Sequence, residues 1–235
     1  MEKQNKSSLS DISYEKWDKE FVAQIVIVAI LALLLAYNFG RSGTGTSGTY
    51  SSGSSANILP SVSAAEIVPS GTPAIYGDEL GVKYDDINPS NQRLADATIE
   101  KLSSYEGEVL SEEFMERYII IGSSISCEYC CGAEALIFSN GERACGCAHS
   151  YSMRGLAKYL LMNHGDEMTD LQILEELGKW KVLFFPGIHM KKAAVLKANN
   201  IDHTDYVNLA SNKYRGIEEQ ALTSSGSSGG MVGGC

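Results

Sequence analysis

Five of the six cysteines in this 235-residue chain lie in one short stretch, residues 127–147. Cys127-Glu-Tyr-Cys130-Cys131 forms a first group, and Cys145-Gly-Cys147-Ala-His149 forms a second. A Cys-x-x-Cys pair places two thiolates on one tight turn, where both can bind a single metal ion. Two facing groups predict a tetrahedral site of four sulfurs, or of three sulfurs and an imidazole. The candidate ligands are Cys127, Cys130, Cys131, Cys145, Cys147 and His149.

Zinc is the preferred cofactor for such a site, because structural zinc sites are tetrahedral and take Cys and His ligands. Copper, iron or an iron–sulfur cluster are alternatives. Two other uses of the cysteines stay open: six of them could form three disulfides, and Cys127-x-x-Cys130 could perform thiol–disulfide exchange. The sequence thus indicates a metal-binding protein, structural or for metal handover. The alternatives are a thiol–disulfide or electron-transfer protein and a disulfide-stapled surface assembly or adhesion protein.

Two resemblances accompany these residues. The paired cysteine groups resemble a zinc ribbon, in which two Cys-x-x-Cys knuckles flank a hairpin, although the second group here is Cys-x-Cys. Cys145-Gly-Cys147-Ala-His149-Ser150, followed by Met153-Arg154, is similar to the motif of extracytoplasmic bacterial lipoproteins named for Pro-Cys-Tyr-Cys-Gly-Cys. Arg143 stands where that motif has a further cysteine. The resemblance implies an extracytoplasmic metal or redox role.

Helical patterns surround the cysteines on both sides, so we predict a mainly α fold with a small α+β character. Apolar residues recur at helical spacing in several segments, and cap residues precede them. Helices are predicted to follow Asn88-Pro89 and Ser111, to span Met153 to Gly165, to run from Thr169-x-x-Gln172 to Phe185, and to cover residues 190–199. Trp180, Phe184 and Phe185 are predicted core residues, whereas His189 and His203 are predicted to lie on the surface.

One short β-hairpin is predicted between the two cysteine groups. Residues 135–144 read Ala-Leu-Ile-Phe-Ser-Asn-Gly-Glu-Arg-Ala, and Asn140-Gly141 is the preferred type I′ turn. Such a hairpin would return the chain and bring Cys145 and Cys147 opposite Cys127 and Cys130.

The strongest apolar run, Phe21 to Tyr37, predicts a transmembrane helix over residues 21–39. Seventeen residues span roughly 25 Å, and the residues after Tyr37 can extend the helix toward the thickness of a bilayer core. No small-residue cleavage site follows, so we predict an uncleaved signal-anchor. Four lysines within residues 1–20 predict a cytoplasmic N-terminus and an extracytoplasmic C-terminal domain. The expected partners are the lipid bilayer, the metal ion and a protein of the cell envelope.

The remaining segments complete the predicted organisation. Residues 1–20 form the cytoplasmic segment, 40–74 a linker rich in Gly, Ser, Thr and Pro, and 75–222 the helical domain with its cysteine-rich knuckle at 127–149. Residues 223–235 form a flexible tail ending in Cys235, whose reach of about 20 Å could bring it to the cluster. A net charge of −10 argues against a nucleic-acid partner. Neither a nucleophile–base set nor a phosphate-binding loop indicates an enzyme.

Overall fold

The computed structural model describes residues 24, 27–30, 59–221 and 231–233. The chain divides into two compact units, Met1–Ser54 and Ser55–Cys235. In the first unit, Gln24 and residues 27–30 are helical. The second unit contains all of the elements considered below. The predicted cytoplasmic segment, residues 1–20, lies outside the described residues.

The second unit is mainly helical, as predicted. Residues 59–221 form nine α-helices and three 3₁₀ turns. The helices are α1 (Ala64–Ile67), α2 (Gly77–Leu80), α3 (Gln92–Ser103), α4 (Glu112–Ser123), α5 (Glu128–Cys131), α6 (Ala148–His164), α7 (Asp170–Phe184), α8 (Pro186–Ala198) and α9 (Tyr206–Ala210), and the 3₁₀ turns are Tyr84–Asp86, Asn212–Tyr214 and Ile217–Ala221.

Local capping signals set the start of several helices. The Ser111 side chain accepts a hydrogen bond from the Phe114 amide at the start of α4. Thr169 and Gln172 form the predicted capping box at the start of α7. The helix predicted after Asn88-Pro89 begins slightly later, because Asn91 provides the N-cap of α3.

Helix α6 lies at the centre of the fold and packs against α3, α4 and α7. Its apolar face from Met153 to Leu161 is buried, as the periodicity predicts. At Gly155 a Cβ atom would overlap the carbonyl of Leu102, so the absence of a side chain allows α3 to approach closely. The predicted core residues Trp180, Phe184 and Phe185 are buried beside it.

The predicted hairpin is wrong: no β-strand forms in the part of the chain that the structure describes. Residues 135–144 make one isolated antiparallel bridge, between Ile137 and Arg143. A type I′ turn needs a positive φ at both central residues. Gly141 has a φ of 83°, but Asn140 does not have a positive value. The chain still reverses here, so the second cysteine group does return toward the first.

Competition for the backbone of Leu136 explains why the strands do not extend. Its amide contacts the carbonyls of Gly122 and Ile125 at the end of α4, both at 3.0 Å. Its carbonyl accepts from the Ala144 amide and from Arg154 of α6. Because the Leu136 amide is bound by Gly122 and Ile125, it cannot pair with the returning chain, and the strand ladder does not extend.

The structure also contradicts the prediction of a single-pass membrane protein with an extracytoplasmic domain. Among the described residues, no helix is long and apolar enough to cross a bilayer. A membrane-spanning helix needs about 20 apolar residues. Of the predicted span, residues 21–39, only Gln24 and residues 27–30 are described, and the rest lies outside the described residues.

Helix α1 lies within the stretch for which the sequence predicts a linker. Its Ile67 is buried against Val182 of α7, Leu196 of α8 and Leu209 of α9. Glu66 contacts His203 and Lys197 near the surface, at 3.2 and 3.3 Å. These contacts join α1 to the helical unit.

Arg154 connects α6 to the segment between the cysteine groups. Its fully buried guanidinium contacts the Glu106 carboxylate at 3.0 Å and donates to the carbonyls of Leu136 and Cys145, at 3.2 and 2.9 Å. Glu106 also contacts Arg143, whose side chain is 58% exposed. A buried charge is tolerated only when it is paired and hydrogen-bonded, so these contacts fix the position of the segment.

We expect Arg154→Ala to lower the free energy of unfolding by about 3–5 kcal/mol, because it leaves Glu106 and two carbonyls without their buried partner. The matched control, Arg143→Ala, removes the exposed partner of the same carboxylate and should cost less than about 1 kcal/mol. Urea unfolding followed by circular dichroism measures both. Equal losses in the two variants would contradict this account.

Candidate metal centre

The first cysteine group is a single tight turn. Cys127 precedes α5, and Gly132 ends it with a φ of 70°, a left-handed conformation that favours glycine. The Cys127 side chain is fully buried, Cys130 is half-buried and Cys131 is exposed. The turn therefore presents its three sulfurs at different depths.

An ion pair fixes this turn to the rest of the fold. The fully buried Lys181 of α7 contacts the Glu128 carboxylate at 2.8 Å and donates to the carbonyl of Ala210. Arg215 contacts the other carboxylate oxygen at 3.1 Å. Burial raises the pKa of Glu128, but the Lys181 ammonium outweighs it and the net pKa is lowered. The residue after Cys127 is thus held as a buried carboxylate.

The second group lies at the start of α6. Cys147 is the N-cap, and its Sγ accepts from the Ser150 amide at 3.4 Å and lies 3.3 Å from Ser150 Oγ. Cys127 Sγ is 3.3 Å away. The Cys127 thiol lowers the pKa of Cys147 to about 3, burial opposes this, and hydrogen bonds from His149 and Ser150 reinforce it. The same contact and burial raise the pKa of Cys127. Cys147 is therefore the more acidic thiol of the pair.

His149 is buried two residues into the same helix. Its ring stacks near Phe184 and Phe185, with centroids 4.6 and 5.1 Å away. Its Nε2 lies 2.9 Å from the carbonyl oxygen of Val232. A carbonyl can only accept a hydrogen bond, so Nε2 donates its proton to Val232. Metal-binding histidines are commonly oriented by such a second hydrogen bond.

Residues 231–233 form a strap that holds His149 in place. The Val232 amide donates to the carbonyl of Phe184 at 2.9 Å, and the Val232 side chain is 2% exposed. Gly233 has a φ of 88° and lies against Ile99 and His149. The sequence predicts a flexible tail over residues 223–235. Its described part docks beside the candidate ligands, and Cys235 lies outside the described residues.

The structure brings the six candidate ligands into two sets that share Cys147. Within each set the ligand atoms all lie within 4.8 Å of one another. The first set is Cys127, Cys130, Cys147 and His149, and the second is Cys131, Cys145 and Cys147. Both sets could hold a metal ion. Cys131 and Cys145 form a disulfide here, Cys130 is also disulfide-bonded, and Cys127 and Cys147 are free thiols.

No family model, curated protein or solved structure matches this chain.

Sequence reasoning missed a buried polar cluster next to the first cysteine group. His189 was predicted to lie on the surface, but it is fully buried, and its ring packs against Tyr129 at 5.5 Å. Lys192 is buried as well, and burial lowers its pKa to about 8. Among the residues that the structure describes, His189 Nε2 and Lys192 Nζ have no hydrogen-bond partner. No sequence signal marks these residues, because a lysine or histidine among apolar neighbours normally indicates a helix surface.

We expect Gly233→Ala to release the strap from His149. The added Cβ would meet Ile99 and His149, and a side chain is disfavoured at this positive φ. Hydrogen exchange at the Val232 amide should then accelerate by at least about tenfold. Gly216→Ala is the matched control, since Gly216 has a φ of 74° but nothing lies within 4 Å of its Cβ position. If both variants leave the Val232 amide equally protected, the strap does not depend on this contact.

Proposed function

We propose that this protein binds a metal ion, zinc by preference, through Cys127, Cys130, Cys147 and His149. One observation carries the proposal: three sulfurs and an imidazole nitrogen from two separate segments lie within 4.8 Å of one another. Cys127 and His149 are fully buried, so solvent competes weakly for the ion. The second hydrogen bond of His149, to Val232, supports its role as a ligand.

The donor set favours zinc over the other metals considered. Three thiolates and one imidazole form a common structural zinc set, and tetrahedral Zn–S bonds of about 2.3 Å place ligand sulfurs about 3.8 Å apart. The 3.3 Å between Cys127 and Cys147 needs only a small opening to reach this spacing. Iron–sulfur clusters usually take four cysteines, whereas the fourth donor here is a buried histidine.

Cys130 makes the site dependent on redox state. It is disulfide-bonded in this structure, and only a thiolate binds the metal. Reduction of Cys130 completes the set of three sulfurs and one nitrogen. Oxidation leaves Cys127, Cys147 and His149, which lack the fourth ligand of a closed structural site.

A structural role for the metal is favoured over handover to a partner. The ligands join the α5 turn to the start of α6, and the strap then holds His149 from a distant part of the chain. A metal that links separate segments stabilises the folded state directly, because the unfolded chain lacks a preformed site. Transfer to a partner would require an exposed route, which two fully buried ligands do not provide.

We expect the protein, reduced in the absence of oxygen, to bind about one zinc or cobalt(II) ion per chain. Cobalt(II) should give thiolate-to-metal charge-transfer absorption and tetrahedral d–d bands. Cys127→Ser, Cys147→Ser and His149→Gln should each weaken binding by more than about 100-fold, since a ligand contributes more than an outer-shell partner. Competition with a chromogenic chelator measures these affinities.

Two controls separate this set from its neighbours. His164→Gln changes a histidine on the same helix that contacts Glu79 instead, and it should bind metal normally. Cys145→Ser alters only the second set of ligands and should also bind metal normally. If Cys145→Ser loses metal while Cys130→Ser and His149→Gln retain it, the ion occupies the second set and the assignment is wrong.

We also expect chelation to destabilise the reduced protein. At a free-zinc concentration of about 100 times Kd, binding to the folded state alone contributes about 2.7 kcal/mol. For a unit of this size the loss corresponds to a decrease in Tm of about 5–10 °C on removal of zinc. Calorimetry with and without EDTA measures it, and Cys127→Ser should show no such dependence. An unchanged Tm in the parent protein would contradict a structural role.

A further inference from the structure

Two free thiols lie beside a disulfide in this cluster. Cys131 and Cys145 are bonded to each other, whereas Cys127 and Cys147 are not. Cys131 is exposed and Cys127 is fully buried. The four sulfurs thus extend from the surface to the interior.

Cys147 connects the two pairs. Its sulfur lies within 4.8 Å of both sulfurs of the Cys131–Cys145 disulfide and 3.3 Å from Cys127 Sγ. Exchange requires a thiolate to reach one sulfur of a disulfide, and a small side-chain rotation covers the remaining distance. The N-cap position places the Cys147 sulfur at the positive end of α6, which has 17 residues and favours an anionic nucleophile.

We propose that these four cysteines form a thiol–disulfide relay that transfers a disulfide from Cys131–Cys145, which is open to solvent at Cys131, to Cys127–Cys147. In the first step Cys147 attacks Cys131 Sγ, a Cys131–Cys147 bond forms, and Cys145 leaves as a thiolate and takes up a proton. Attack on Cys145 would close a small ring with a single residue between the cysteines, so Cys131 is the favoured target.

In the second step Cys127 gives up its proton and attacks Cys147 Sγ as a thiolate, and Cys131 leaves as a thiolate and takes up one proton at the exposed position, so the protons of this step balance. One disulfide and two thiols are present at the start and at the end, so the transfer needs no external oxidant. The initial Cys131–Cys145 bond is made by a low-molecular-weight disulfide such as oxidised glutathione, which is reduced to two thiols as it oxidises the pair.

The consequence for the metal rests on the proposed function. Cys127 and Cys147 are two of the proposed zinc ligands, and a disulfide between them removes both thiolates. An oxidant that reaches only the exposed Cys131 would therefore expel a metal bound in the interior. The relay converts a surface redox event into loss of the structural ion.

The relay is tested first in metal-free, full-length protein. Reduced protein with EDTA receives one equivalent of oxidised glutathione, and samples are alkylated at intervals and mapped by mass spectrometry. Cleavage after Glu128 separates Cys127 from Cys130 and Cys131, and fragmentation distinguishes Cys145 from Cys147. We expect the Cys131–Cys145 link to appear first and to decline as Cys127–Cys147 increases. Because no metal is present, this outcome does not depend on the proposed zinc site.

Three variants decide the result. In Cys147→Ser the Cys131–Cys145 link should persist, and in Cys131→Ser the Cys127–Cys147 link should form at least about tenfold more slowly. Cys145→Ser is a second variant that should give the same delay, and circular dichroism checks that each variant is folded. Formation of Cys127–Cys147 at the parental rate in both Cys131→Ser and Cys145→Ser would overturn the relay.

Zinc-loaded protein tests the coupling separately. Zinc release by oxidised glutathione should be about tenfold slower in Cys131→Ser than in the parent protein, since the exposed entry thiol is missing. If the relay operates in metal-free protein but zinc release is unchanged in Cys131→Ser, the link between oxidation of Cys131 and zinc release is wrong, and the relay itself stands. Failure of all variants and the parent to bind zinc would instead overturn the proposed metal site.

Discussion

The burial of Arg154 is the constraint on which the cysteine-bearing part of this fold depends. A guanidinium without solvent needs partners for its charge, and Arg154 finds them in Glu106 and the carbonyls of Leu136 and Cys145 through Nε and Nη1, whereas Nη2 has no hydrogen-bond partner among the described residues. The Leu136 carbonyl belongs to the segment between the two cysteine groups, and the Cys145 carbonyl belongs to the second group itself. Satisfying one buried charge therefore places that segment on α6, which itself begins with Cys147. The positions of the sulfurs therefore depend on the Arg154–Glu106 ion pair as well as on the cysteines themselves.

A second buried charge does the same for the first cysteine group. Lys181 is fully buried on α7, and its partner Glu128 lies inside the Cys127–Cys130 turn. Apolar packing tolerates some rotation of a short helix such as α5, but a buried ammonium opposite a carboxylate allows little displacement before both lose their partners. Each cysteine group is thus held by one buried ion pair. This explains how the α5 turn and the start of α6 can hold the sulfurs of Cys127 and Cys147 in contact with each other.

Local signals predicted much of this architecture, and non-local contacts account for the errors. Cap residues such as Ser111 and Thr169 act within a few residues of themselves, so the helices that they start could be predicted from sequence. The cysteine spacing also predicted which side chains converge. The hairpin could not be judged from Asn140-Gly141 alone, because the Leu136 amide is bound by the distant carbonyls of α4. The docking of Val232 and the burial of Lys181 likewise depend on residues far away in the sequence.

The sharing of Cys147 between two ligand sets has a thermodynamic consequence. A sulfur cannot bind a metal as a thiolate and belong to a disulfide at once, so the two states compete for the same atom. Linkage requires the competition to be reciprocal: metal binding makes the Cys127–Cys147 pair harder to oxidise by the same factor by which oxidation weakens metal binding. The strap affects this competition through His149. A contact that orients the imidazole for the ion favours metal binding, and therefore the reduced state of the cysteines. In the proposed function, redox response and metal affinity are therefore properties of one cluster, and a change at Val232 would affect both.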